Sequence, residues 1–392
     1  LIRKQLSKVK GARPLLVLPI YSQLPSESQA LIFGSSVHRK CIVATNIAET
    51  SLTLDGVKYV IDCGYSKLKV FNPKIGMDGL QVTPISQASA DQRAGRAGRT
   101  GPGKCFRVYK LGGYRHEMFP SNVPEIQRTN LSNVVLLLKS LNVRDPSEFD
   151  FMDPPTQDAI YSASFHLWTL KALDDSGELT EIGKRMAEFP LDPSLTKIVL
   201  ASESFGCLKE ALIVVSMLSV PSVFVRPKDQ ETEADAKRQR LMVPESDHLT
   251  LFNVYRQWKE NKYSSAFCAN FFLNYKALLR VREIKKQFKT IVESLGMKSS
   301  SSFPNLDPLR KSVCAAYFHH AARMKSIGEY FNIRNGYVCR VHPSSSLFVL
   351  GYVPEYVVYH EMIVTSKEFV HCVTAVEAEW LIELGSVFFE AC

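Results

Sequence analysis

No run of 18 or more apolar residues occurs in this 392-residue chain, which leaves no candidate for a membrane-spanning helix. No C-x-x-C pair occurs among its nine cysteines, at 41, 63, 105, 207, 268, 314, 339, 372 and 392. That scatter excludes a thiolate zinc site and a disulfide framework, and it points to a reducing, intracellular setting. No internal repeat is visible. Neither an initiator Met nor a signal-peptide h-region opens the chain, so its start reads as a cut inside a longer chain. Acidic residues are in deficit, 39 against 48 Lys and Arg, giving a net charge of +9 and a pI near 9.0. Such a balance favours a polyanionic partner, nucleic acid before membrane.

What is present is an ordinary globular composition, 45% hydrophobic and 22% charged, on a length that suits two to four domains. Short apolar runs, "PLLVLPI", "KCIVA" and "VKYVIDCG", read as buried strands alternating with the helical pieces "ESQALIFGSS" and "SADQRAGRAGR". That alternation predicts a parallel α/β sheet. Residues 64–85 have two alternating arms around an Asn-Pro and Gly-rich centre, which predicts a projecting β-hairpin. Beyond about residue 120 helical periodicity dominates, as in "NLSNVVLLLKSL", "DAIYSASFHLWTLKAL" and the Pro-opened "PLDPSLTKIVLASESFG". The charged stretch 228–240 reads as a solvated helix or loop, and 294–308 as a Ser/Pro/Gly linker. Past 325, about five short strands recur within some 70 residues, which suits a small β-barrel.

Chemistry is concentrated near residue 100. Gly98 to Lys104 has the G-x-x-x-x-G-K frame of a phosphate loop, but Cys105 replaces the magnesium-binding hydroxyl. A helical pattern precedes this frame and a strand pattern follows it, the reverse of a working P-loop. Upstream, Gln92, Arg96 and Arg99 stand at i, i+4 and i+7 and share one face if the helix runs on. Gly95 and Gly98 leave that face bare. Two guanidiniums and an amide converging suit a triphosphate or its charged transition state. A basic helix paired with carboxylates fits the same spacing equally well.

"QRAGRAGR" resembles motif VI of the superfamily 2 helicases, and "ATNIAETSLTLDGVKYVIDCG" resembles motif V of their DEAH-box group. Longer likeness extends through "VPEIQRTNLSNVVLLLKSL", "EFPLDPSL", "DHLTLFNVYRQW" and "GEYFNIRNG". It implies a multidomain α/β plus α plus β chain. Residues 1–118 would form a second RecA-like domain with hairpin 64–85, and 119–188 a winged helix. Residues 189–300 would form a helical ratchet-like domain and 305–392 an OB-fold barrel. Within the DEAH-box group the chain is most similar to the splicing ATPases. Its loops point to the one that acts around the second transesterification step.

The resemblance implies an ATP-dependent 3′ to 5′ RNA helicase or translocase of the nucleus, acting in pre-mRNA splicing. Arg96 and Arg99 would be arginine fingers and Gln92 would orient the attacking water. Ser51, Thr53 and Asp55 would face the nucleotide, and Phe33 would stack on adenine, although a helix-face core residue is the simpler reading of Phe33. Ser22, Gln23, Thr45 and Asn46 would contact RNA phosphates, with turn and cap roles equally open. Lys67, Lys69 and Lys74 would lie near RNA on the hairpin. Val281, Ile284, Phe288 and Ile291 form an apolar stripe, beside a basic one of Arg282, Lys285, Lys286 and Lys289 that could line a channel. His319, His320 and His342 match no metal arrangement.

Partners implied are single-stranded pre-mRNA or snRNA, spliceosomal proteins and a first RecA-like domain, with no membrane. The cofactors are ATP and Mg2+, yet neither G-x-x-x-x-G-K-[ST] nor Asp-Glu-Ala-His occurs in the chain. The ATP cradle and the magnesium ligands would then lie outside it, on a larger enzyme of which this is the C-terminal portion, inactive alone. The alternative is a non-catalytic RNA- or protein-binding module that uses the barrel.

Overall fold

The computed structural model describes residues 2–6, 8–9, 11–21, 24, 26–50, 54–73, 77–227, 229–364 and 368–390. The chain divides into two compact units, Leu1–Leu68 with Gln81–Pro124, and Lys69–Leu80 with Glu125–Cys392.

The first unit runs α1 (Ile2–Leu6), β1 (Leu15–Ile20), α2 (Ser26–Phe33), β2 (Arg39–Ala44), α3 (Ile47–Thr50) and β3 (Tyr59–Asp62). After the hairpin strands β4 (Tyr65–Asn72) and β5 (Met77–Pro84) come α4 (Gln87–Gly95), β6 (Lys104–Arg107) and α5 (Leu111–His116). The expected strands and hairpin form. Among the described residues, however, the parallel sheet is two pairs, β1 with β2 and β3 with β6.

The expectation of a fully buried third strand fails. Val60 and Asp62 turn inward on β3, whereas Tyr59 and Ile61 are 68% and 77% exposed. Side chains alternate along a strand, and no described element covers the outer face, which Phe106 and Val108 extend.

The second unit begins with α6 (Ser132–Ser140), α7 (Gln157–Thr169) and α8 (Glu181–Ala187), around a core of Leu131, Val135, Ile160, Leu167 and Met186. A helical array follows: α9 (Pro193–Ser204), α10 (Leu208–Leu218), α11 (Glu231–Gln239), α12 (Asp247–Glu260), α13 (Ser265–Asn270) and α14 (Tyr275–Ser294). Caps written in the sequence set these helices. Asp192 accepts from Ser194 N–H ahead of Pro193, Ser246 caps α12, and Asn274 caps α14. On α14 Val281 and Phe288 are buried and Ile284 and Ile291 half-buried, as the apolar stripe required. Of the basic stripe, Arg282, Lys286 and Lys289 are exposed, but Lys285 lies half-buried over the Tyr255 ring at 5.0 Å. Burial there pulls its ammonium below the ordinary lysine value.

Then α15 (Asp307–Tyr317) leads into β7 (Ala321–Ser326), β8 (Glu329–Asn332), β9 (Val338–Val341), α16 (Ser346–Val349), β10 (Tyr356–Val364), β11 (Glu368–Val376) and α17 (Ala378–Leu384). The five strands close into a barrel in the order β10-β11-β9-β8-β7. Asp247, opening α12, holds this barrel to the helical array. Its carboxylate accepts from Ser346 N–H and Oγ at 2.7 and 2.8 Å and from Val373 N–H at 2.8 Å.

An interior cluster of imidazoles joins these parts. His166 on α7 lies 4.8 Å from His319, which lies 4.3 Å from His320, and His320 stacks on Tyr359 at 5.0 Å. Tyr317 OH meets His360 Nδ1 at 2.6 Å, and His248 on α12 meets Thr374 Oγ1 at 2.7 Å. Burial pulls all five histidines down, His248 and His320 to about 3, and for all but His166 neighbouring imidazoles push the same way. Asp192 and Glu361 oppose the shift, while Arg334 and Lys69 add to it.

A depressed folded pKa means that, below the unfolded value near 6.5, the unfolded chain takes up protons which the folded chain refuses. Stability is therefore full above about pH 6.5 and lost as pH falls, at roughly 1.4 kcal/mol per pH unit for each histidine held neutral. Urea unfolding monitored at α7 and β10 should show a steep loss of stability between about pH 6.5 and 4.5, and a flat profile there would contradict this account.

Candidate nucleotide-facing site

Asp62 ends β3 with its side chain fully buried, and three donors answer it. Its Oδ1 accepts from Arg93 Nη1 at 2.8 Å and from Gly64 N–H at 3.0 Å, and its Oδ2 accepts from Tyr109 OH at 2.8 Å. Gly64 has φ +79, and a Cβ there would stand 2.7 Å from the Tyr109 ring, so only glycine fits the turn.

Arg93 also donates from Nε to Glu49 Oε2 at 3.0 Å and from Nη1 to Tyr65 O at 3.3 Å. Burial works against its charge, but the bonds to Asp62 and Glu49 outweigh burial and hold it above the ordinary arginine value. Tyr109 is pushed up by burial and by its bond to Asp62.

Helix α4 is fastened on its other side as well. Arg107 Nη2 reaches Asp91 at 2.6 Å and the Arg107 Cζ lies 4.4 Å from the Tyr114 ring centroid, while Tyr114 OH donates to both Asp91 oxygens. Ser86 caps the helix, and Gln87 Nε2 donates to Tyr114 O at 2.9 Å. With the helix so fastened, Gln92 and Arg99 stand exposed and Arg96 half-buried. No ion pair engages Arg99 among the described residues.

The shared α-helical face expected for all three needs correction. Helix α4 ends at Gly95, and the chain tightens through i−3 bonds, Arg96 N–H to Arg93 O, Ala97 to Ala94 and Gly98 to Gly95. Winding at three residues per turn aligns Arg96 with Arg99 rather than Gln92 with Arg99.

The phosphate-loop frame is resolved by the same stretch. A Cβ at Gly103 would fall 1.9 Å from Ala97 O, so this glycine serves close chain packing. Lys104 opens β6 and pairs beside Tyr59, and no helix follows it directly. Thr100 Oγ1 accepts from Gly56 N–H at 3.1 Å, tying the loop to the turn after Asp55.

Other expected site residues fall as follows. Phe33, at the end of α2, is 54% exposed, which sets aside a core role and leaves its ring available. Asp55, Thr45 and Asn46 are exposed, the last two at the carboxyl end of β2, where α/β sheets place ligands. Lys67 and Lys69 are exposed on one side of β4. Lys69 also helps hold Glu361 below the ordinary carboxylate value, after the larger effect of its bond with His371. Ser22, Gln23, Ser51, Thr53 and Lys74 lie outside the described residues.

Arg93, Asp62 and Tyr109 were missed as a set. The signal was Asp62 itself, a charge inside an apolar strand that demands a partner. For magnesium the donor set does not fit. Cys105 offers no hydroxyl, and no group of three His, Cys, Asp or Glu able to hold a metal occurs among the described residues.

Residues 3–101 match the helicase conserved C-terminal domain. Residues 165–191 and 192–251 match the winged-helix and ratchet-like helicase associated domains (HA2), and 309–387 the oligonucleotide/oligosaccharide-binding (OB)-fold. The chain thus resembles, in order, a helicase conserved C-terminal domain, the winged-helix and ratchet-like helicase associated domains and an OB-fold. It is 45% identical over 379 residues to the pre-mRNA-splicing factor ATP-dependent RNA helicase prp22 of Schizosaccharomyces pombe. That alignment covers 96% of this chain and 32% of the relative, so the chain spans about a third of its length.

Replacing Tyr109 with Phe leaves one buried Asp62 oxygen unanswered and should cost about 1–3 kcal/mol. Thermal unfolding should show a lower Tm for the first unit, and an unchanged Tm would mean that another donor takes the place of the hydroxyl.

Proposed function

We propose that this chain supplies the second RecA-like half of an ATP-dependent RNA translocase that remodels RNA–protein complexes in pre-mRNA splicing. Carrying this reading is the fastened helix α4, which turns Arg93 to the buried Asp62 and is held by Arg107 at Asp91, while Gln92 and, past the helix end, Arg99 stand exposed and Arg96 half-buried. When ATP is bound it brings the phosphoanhydride and the charge that these groups meet. The Arg96 and Arg99 guanidiniums offset charge developing on the transferred phosphoryl group, and the Gln92 amide orients the attacking water. Phe33 stacks on the base, Ser51 senses the nucleotide state, and Thr53 and Asp55 contact the ribose region.

Thr45 and Asn46, with Ser22 and Gln23, bind phosphates of single-stranded pre-mRNA or snRNA through contacts that read no sequence. Lys67 and Lys69 lie beside that strand on the hairpin. Residues 1–118 form the RecA-like domain, 119–188 the winged helix, 189–300 the ratchet-like domain and 305–392 the OB-fold. The phosphate cradle and magnesium ligands come from a first RecA-like domain outside these residues. Closure of the two halves on ATP and reopening after hydrolysis step the enzyme 3′ to 5′ in the nucleus, among spliceosomal proteins.

In the full-length protein, Arg96→Ala with Arg99→Ala should lower RNA-stimulated ATP turnover by about 10³- to 10⁵-fold. RNA affinity should stay within a few-fold. Unchanged turnover would replace this reading with a barrel-based binding module. The 392-residue chain alone should show no RNA-stimulated, magnesium-dependent ATP turnover.

A further inference from the structure

Arg93 has no place in the chemistry just described, yet its side chain grips the elements carrying both halves of that chemistry. Its guanidinium reaches Glu49 on α3 and Asp62 on β3, with side-chain exposures of 16%, 10% and 0% for Arg93, Glu49 and Asp62. Helix α3 has only four residues and no fully buried side chain, and its Ile47 and Ala48 pack half-buried against Leu18, Ile20 and Ile32. Two polar attachments add to that packing. At its start Thr45 N–H bonds Ile20 O at 3.1 Å, and at Glu49 it is pinned by Arg93. The turn that presents Thr45 and Asn46 belongs to this same piece, since Ala48 N–H bonds Thr45 O and Glu49 N–H bonds Asn46 O. Arg93 itself follows Gln92 directly and stands one turn before Arg96.

A planar guanidinium bonded to two carboxylates is a stiff bracket, because its fork fixes both partners in direction as well as distance. We propose that Arg93 is a positioning residue that couples occupation of the Thr45–Asn46 turn by RNA to the placing of Gln92, Arg96 and Arg99. Displacement of α3 by a bound phosphate is passed through Glu49 to Arg93 and so to the end of α4. The inference rests on the function proposed above and adds the element by which RNA stimulates ATP turnover.

The test uses the full-length protein, with Arg93→Lys, which keeps the charge and loses the fork, and Glu49→Gln, which keeps an amide acceptor for Nε–H and leaves Asp62 paired. ATP turnover without RNA and at saturating oligouridylate, RNA affinity, KM for ATP and Tm are measured. Arg93→Lys should lower the RNA-stimulated kcat by about 5- to 30-fold, a coupling of the usual allosteric size. The RNA-free rate, the RNA Kd and KM should stay within about twofold, and Glu49→Gln should show a smaller loss of the same kind. If RNA-free and RNA-stimulated rates fall in equal proportion, Arg93 is only a clamp and the inference is overturned, as it is if neither rate moves. Should Arg93→Lys fail to fold, Glu49→Gln decides by the same ratio. Wild-type protein lacking any RNA stimulation would instead remove the functional reading beneath it.

Discussion

A carboxylate without solvent must have its lone pairs answered from within, and Asp62 is answered by Arg93, Tyr109 and the Gly64 amide. Much of the first unit's geometry follows from that requirement. Gly64 must be glycine because the Tyr109 ring presses on it, and Tyr109 presses there to reach Asp62. Arg93 is drawn inward and brings Glu49 with it, so α3 and α4 are fixed to one strand end. The outward residues of α4 gain their direction from what their neighbours must do inside. Arg93 and Arg96 are three apart in sequence, and the first is committed to neutralising the buried Asp62.

In the second unit neutral rings take the part that the ion pair takes in the first. His166, His248, His319, His320 and His360 come from helices, a short turn and a barrel strand, and meet where water is excluded. Imidazole can donate and accept while uncharged, which lets polar groups such as Ser132, Ser194 and Thr374 be satisfied between domains without buried charge. Asp247 adds a carboxylate that accepts from neutral donors of the barrel. The barrel and helical array are therefore bonded at several independent points.

Local patterns were legible where one interaction decides them. The Pro-opened start of α9, the hairpin arms, the α14 stripe and the five barrel strands all follow from spacing or from residue type alone. The failures share a cause. Arg99 left the helical face because the winding tightened at Gly95, and β3 exposed Tyr59 and Ile61 because burial of a strand face depends on what covers it. Phe33 and Lys285 exchanged their expected surroundings for the same reason, the ring standing exposed and the ammonium settling over Tyr255.

The order of residues by itself determined which groups could meet phosphate, and it settled that the glycine–lysine frame at 98–104 is no phosphate loop, since a strand pattern follows the lysine. Residue type and spacing along the backbone are enough for that. Tertiary structure alone decided that Arg93 faces Asp62 across 31 positions and that five histidines from distant segments share one dry interior. Such pairings depend on which surfaces exclude water together, and desolvation is a property of the assembled chain, with no counterpart in any local stretch of it.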